Sequence, residues 1–150
     1  MRNYIAILFL ILVTSCSSQD KIIKESAIVA TYQSWTAGVR GGGSGINFEL
    51  KLKSELPKGV VLKRVIFKGF EVQFTQQDTL SYNAAIITGV NQERFEGDNK
   101  STSSSPKNAT QLKDNEAVLV FFKNGKEYQQ KISNVREQPT LEYPSARPKF

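Results

Sequence analysis

Apolar and polar residues along this chain alternate with period two, and no helical period of useful length appears after residue 27. Ile46, Phe48, Leu50 and Leu52 alternate with Asn47, Glu49, Lys51 and Lys53, which predicts an antiparallel strand with one buried face and one wet face. Leu80, Tyr82, Ala84 and Ile86 share a face in 79–90, and 70–74 (FEVQF) alternates in the same way. Residues 27–35 (AIVATYQSW) are β-branched and aromatic, the side chains that suit a pleated, half-buried surface. Segment 60–67 is apolar except at Lys63 and Arg64, so a strand with a bulge or twist at that pair is expected. The continuous run 117–122 (AVLVFF) predicts a central strand. Asn124-Gly125 follows it, a pair that accepts the positive φ of a type I′ turn and predicts a hairpin. The return strand, 126–135, places Tyr128, Gln130 and Ile132 on one face.

About seven short strands without helices predict an all-β domain, an antiparallel β-sandwich of Ig-like type, with a small β-barrel as the alternative. The domain is expected over 28–136. Leu56-Pro57-Lys58-Gly59 is a turn, and 91–115 loses periodicity in a long loop rich in Ser, Asn and Gly. Residues 137–150 carry Pro139, Pro144 and Pro148 and read as an extended tail.

The first residues obey a different order. Arg2 is followed by the apolar run 5–13, then by Val13-Thr14-Ser15-Cys16 and the polar Ser17-Ser18-Gln19-Asp20. Basic, apolar and small-residue segments in that order read as a signal peptide over 1–15. The nine apolar residues make about 14 Å of helix, too short to span a membrane that needs ~20 residues. Val-Thr-Ser-Cys resembles the lipobox of bacterial lipoproteins, and the chain's single Cys occupies the position which that motif requires. The resemblance implies cleavage before Cys16, acylation of its thiol, and anchorage to a lipid bilayer. Several acyl chains hold a protein stably where one does not. Residues 16–27 then form a tether, and Ser17, in place of the Asp linked to inner-membrane retention in some bacteria, favours the outer membrane.

Composition narrows the chemistry. The sequence has no His, which excludes Ser-His and Cys-His nucleophile pairs and His-ligated metal. With Cys16 acylated no disulfide is available, so packing must stabilise the fold. The chain carries 20 Lys+Arg against 14 Asp+Glu, a net +6 that becomes +5 once Arg2 is removed. In an exported protein this balance favours anionic envelope glycans or acidic protein surfaces, and no nucleic acid is expected as partner. No cofactor, metal or catalytic set is expected either.

Residues 35–45 hold five glycines within eight residues, beside Trp35 and Arg40. No Lys-Ser/Thr follows, and a strand pattern stands where a phosphate loop needs a helix. Trp35, Arg40, Gly41, Gly42 and Gly43 therefore form a candidate recognition loop, with backbone N–H groups and a guanidinium able to take an anion. The plainer reading makes it a mobile connection with Trp35 as a core anchor. Glu71, Asp78, Glu93 and Glu96 are the acids available for a carboxylate pair, each at a position expected on a wet face or loop. Lys63, Arg64 and Lys68 read as a solvated edge that deters strand aggregation. Asp78-Thr79-Leu80 is similar to the short O-glycosylation motif of Bacteroidetes-type bacteria, and Asn108-Ala109-Thr110 fits the N-glycosylation pattern.

The Cys-led leader, short β domain and Gly-rich loop together resemble small Bacteroidetes-type lipoproteins of unknown function. The expected function is a non-catalytic envelope lipoprotein whose β-sandwich binds a partner protein or an anionic envelope component. A small hydrolase or ligand carrier with an acidic or interior site is the alternative.

Overall fold

The computed structural model describes residues 21–89 and 112–145. The signal segment with Cys16, and Glu93, Glu96 and Asn108-Ala109-Thr110, lie outside the described residues. A single 3-10 turn (Glu25–Ala27) leads into nine strands. They are β1 (Ile28–Ala37), β2 (Ser44–Leu52), β3 (Val60–Phe67), β4 (Phe70–Gln73), β5 (Thr75–Gln76), β6 (Ser81–Ile87), β7 (Ala117–Lys123), β8 (Lys126–Ile132) and β9 (Arg136–Tyr143). They form a five-stranded sheet, β5-β6-β2-β1-β9, and a four-stranded sheet, β4-β3-β7-β8.

The molecule is thus an all-β sandwich. The barrel alternative is corrected by the ladders, which leave two separate sheets. The strand count exceeds the expected seven because the short β5 and the segment after Val135 both pair. Residues 136–143, of which 137 onward read from their prolines as tail, are extended and lie parallel to β1; all other ladders are antiparallel. Pro139 fits there because an edge strand need not offer every N–H to a neighbour.

Period-two alternation builds the core. Ile46, Phe48, Leu50 and Leu52 of β2, and Tyr82, Ala84 and Ile86 of β6, are all buried between the sheets. Phe67 of the smaller sheet inserts between Tyr32 and Phe48 of the larger, with ring centroids 4.9 and 5.1 Å apart. Strand β7 is buried on both faces: Ala117, Leu119 and Phe121 join the main core, while Val118 and Val120 pack with Ile66 and Leu112 in a second cluster. This explains its unbroken apolar sequence.

The bulge expected in β3 is present. The register with β7 shifts between Leu62 and Arg64, and the carbonyl of the extra residue, Lys63, accepts the Phe74 N–H at 2.8 Å. Phe74 is also where the chain leaves one sheet for the other, between β4 and β5. Strand β3 is an inner strand, which corrects the edge role given to its basic residues. Arg64 instead binds Glu71 of β4 and Glu127 of β8, and the Lys68 ammonium lies 4.4 Å from the Tyr32 ring centroid.

Asn124 and Gly125 have φ of 51° and 74°, as a type I′ hairpin requires. Lys68 and Gly69, at 47° and 82°, make a second such turn between β3 and β4. Upstream of β1, the residues read as tether are partly docked. Ile23 is buried, and its N–H and C=O are both bound by the Gln130 carboxamide.

Candidate functional site

Opposite the core, alternation turns the odd-numbered residues of β1, β2 and β6 outward, and the ladders align them in rows across the sheet, of which two adjacent ones form the candidate site. Gln33 stands opposite Asn47 on one side and Gln138 on the other, and Asn47 stands opposite Ala85. The neighbouring row runs Thr31, Glu49, Asn83 and Thr75. Together with Gln77 these residues line an open groove of about 570 Å³. Four adjacent inter-strand steps of roughly 4.8 Å make such a face close to 19 Å wide, enough for an elongated ligand.

The groove is polar but almost uncharged. Five of its side chains are carboxamides (Gln33, Asn47, Gln77, Asn83 and Gln138), each with two donors and a two-lone-pair acceptor. Among the described residues Glu49 is its single acid, held to Lys51 at 3.2 Å, and no Lys or Arg lines it. Gln33 is fixed in place by donating from Nε2 to the Pro139 carbonyl at 2.8 Å, a bond that also ties β9 to the sheet. Asn83 is half-buried, and its Oδ1 has neither solvent contact nor a hydrogen-bond partner. Buried polar atoms are nearly always paired, so an orphan at the floor of a groove is informative.

The candidate recognition loop lies beyond the end of β1 away from the docked leader. Its Gly38 N–H donates to Tyr143 O at 2.6 Å, Gly42 N–H to Val39 O at 3.0 Å, and Ala37 N–H to Gly43 O at 3.0 Å. Those donors are committed within the fold, which reduces what the turn could offer an anion as a nest. Gly41 and Gly43 take positive φ, at 79° and 81°, and a Cβ on Gly42 would meet Ala37 Cβ at 2.5 Å. Arg40 is exposed. Trp35 is not: it is 4 % exposed, lies over Gly45 and meets the Tyr143 ring edge-on at 6.2 Å. The structure thus places Trp35 as an anchor on the outer face of the larger sheet, and of the candidate residues sets Arg40 and Gly41 at the surface, with Gly42 half-buried and Gly43 buried.

The other singled-out residues are dispersed. Glu71 is paired with Arg64, and Asp78 caps its own turn by accepting the Leu80 N–H at 2.8 Å, the main cause holding its carboxyl below the usual value. Thr79 is exposed in that turn. Among the described residues no group of three or more His, Cys, Asp or Glu could hold a metal ion, and no helix is long and apolar enough to cross a membrane.

Sequence reasoning placed Asn47 and Glu49 on a wet face but did not assemble the groove, because its members come from strands far apart in the chain. The available signal was the type of polar residue: amides where solvated strands more often carry Lys and Glu. The chain matches no protein-family model, no curated protein and no solved structure.

Proposed function

We propose that the chain is a non-catalytic, lipid-anchored protein of the cell envelope, acylated at Cys16 in the outer membrane, whose β-sandwich binds a partner protein or an envelope component. The observation that carries the binding part is the 570 Å³ groove, which is built from the outer face of the larger sheet and lined with carboxamide side chains, the buried Asn83 Oδ1 among them without a partner. The anchor rests on Val13-Thr14-Ser15-Cys16. Docking of Ile23 against Gln130 leaves six residues between Cys16 and the fold, at most ~24 Å of extended chain, so the domain would sit close to the bilayer. The exposed Arg40 beside Gly41, Gly42 and Gly43 is a second contact point in this reading, suited to an anionic group.

A hydrolase or carrier with an acidic site finds less support. Glu71 and Asp78 are each engaged in separate structural roles, and neither lines the groove.

Three measurements test the reading. Cys16→Ala should leave the precursor uncut or release the protein from membranes; normal maturation and membrane fractionation would refute the anchor. A photo-crosslinking residue at Gln138 should form adducts in intact cells, while one at Gln129 on the other sheet should not. Adducts from Gln129 alone would place the binding surface elsewhere. Arg40→Ala separates the loop from the groove: it should weaken salt-sensitive capture of an anionic partner without lowering the melting temperature.

A further inference from the structure

Resting on that reading of the groove as the binding site, we infer that its ligand is a neutral oligosaccharide. Three features define the class. The first is hydrogen-bonding character. A carboxamide presents a donor and an acceptor side by side, which complements adjacent hydroxyls that each donate and accept. The ladders set such groups in register, Gln138, Gln33 and Asn47 across one row and Asn83 between Glu49 and Thr75 in the next. A chain of sugar rings laid across the strands meets a polar group at every strand.

The second feature is charge. Among the described residues no cation lines the groove; Glu49 does, and the Lys51 ammonium beside it is already engaged with that carboxylate at 3.2 Å. A phosphate or carboxylate entering the groove would therefore meet an acid and have to compete with it for its counter-charge. The third is shape. The backbone groups of the inner strands β1, β2 and β6 are already used in ladders, and among the described residues only the outer edges of β5 and β9, at the groove's two sides, are open. A peptide lying across the groove could not bind by strand addition and would depend on side-chain pockets. Ala85 is the one apolar side chain that the rows direct into the groove, which leaves a peptide little to bury.

Asn83 links the site to the ligand. Its Oδ1 is an acceptor without a partner in the free protein, and the terminal torsion of Asn is broad, so a small turn of the amide brings that oxygen to a ligand hydroxyl. The rings of Tyr32 and Phe48 are in the core, so no aromatic platform underlies the groove. Binding should therefore be driven by enthalpy, with a small heat-capacity change and little dependence on salt.

The test is a titration of the isotope-labelled full-length chain in a sugar-free detergent with cellotetraose, maltotetraose, mannotetraose and chitotetraose. Tetragalacturonate and a pool of extended hexapeptides serve as the anionic and peptide comparisons. At least one neutral tetrasaccharide should shift the backbone amides of residues 31–33, 47–49 and 83–85, with a Kd at or below ~1 mM. Asn83→Leu and Gln138→Ala should each weaken that binding at least about tenfold, equivalent to ~1.4 kcal/mol, with unchanged melting temperature. Gln129→Ala, on the other sheet, should leave it unchanged. If no neutral tetrasaccharide shifts these amides, the inference is overturned. Should tetragalacturonate or a peptide shift them instead, the ligand class is wrong and the groove stands as the site. If no probe shifts them, both the ligand class and the assignment of the groove are rejected.

Discussion

The Gln130 carboxamide clasps the backbone of Ile23, donating from Nε2 to its carbonyl at 2.6 Å and accepting its N–H on Oε1 at 3.1 Å. Both residues are buried, and they are 107 positions apart. The contact closes the polar accounts of a leader segment that has no strand to join. It also explains a polar residue at a core position of β8, where alternation alone would place an aliphatic one.

Replacing Gln130 by Leu would keep the volume and leave two buried backbone groups unpaired. The expected loss is about 1–3 kcal/mol, read by chemical denaturation. Amide exchange at residues 21–27 should accelerate selectively. An unchanged stability would show that water satisfies Ile23 as well as Gln130 does.

Gly45 is kept bare by the Ile86 carbonyl and by Trp35. A Cβ there would collide with the Ile86 carbonyl oxygen and press on the indole at 2.8 Å. Gly45→Ala should therefore destabilise by ~1–3 kcal/mol through overpacking. Trp35→Ala should cost roughly 3–5 kcal/mol as a truncation of a buried ring. The double variant should cost less than the sum, because the indole that the new methyl strikes is gone. Strict additivity would mean that the Ile86 carbonyl, not Trp35, enforces glycine.

The two type I′ turns make a matched pair for mutation. Gly125→Val and Gly69→Val both force a β-branched residue to positive φ, at 74° and 82° in the wild type. Each should lose about 1–2 kcal/mol or more in thermal or denaturant melting. A Gly125 variant of full stability would show that the turn relaxes to another type.

Acid should weaken the docking of the leader. Glu25 Oε1 accepts the Ser133 N–H at 2.6 Å and the Ser133 hydroxyl at 2.8 Å, and the backbone bond is the largest cause lowering its pKa from the ordinary 4.5. Glu116 is lowered in the same direction, first by the Lys113 N–H and then by Lys131. A carboxylate whose pKa falls on folding adds stability above its unfolded value and loses it as pH drops through the folded one. Stability should thus be level above pH 4.5 and decline below it. Glu25→Gln should flatten part of that decline. An identical pH profile in the variant would assign the decline to other carboxylates.

Much of the fold was legible because period two is a local property. The wet and dry faces of β2, the central place of β7, the bulge at Lys63 and the hairpin at Asn124-Gly125 follow from neighbouring side chains, and the ladders bear them out. The sequence by itself also determined that no histidine chemistry is available and that the single thiol is Cys16.

Tertiary structure alone decided the rest. Proline content marked 137–143 as extended, but whether it hangs free or pairs with β1 depends on an edge contributed by residues 31–37, a hundred positions upstream. Arg64 looked like edge protection until β4 and β8 supplied Glu71 and Glu127. Trp35 carried the residue type of a binding hot spot, and its burial follows from Tyr143 and Gly45, which no local pattern connects to it. The groove is the clearest case. Alternation tells each strand which residues face out, but only register places Gln138, Gln33 and Asn47 side by side, because hydrogen bonds between strands, and not sequence proximity, fix which wet residues become neighbours.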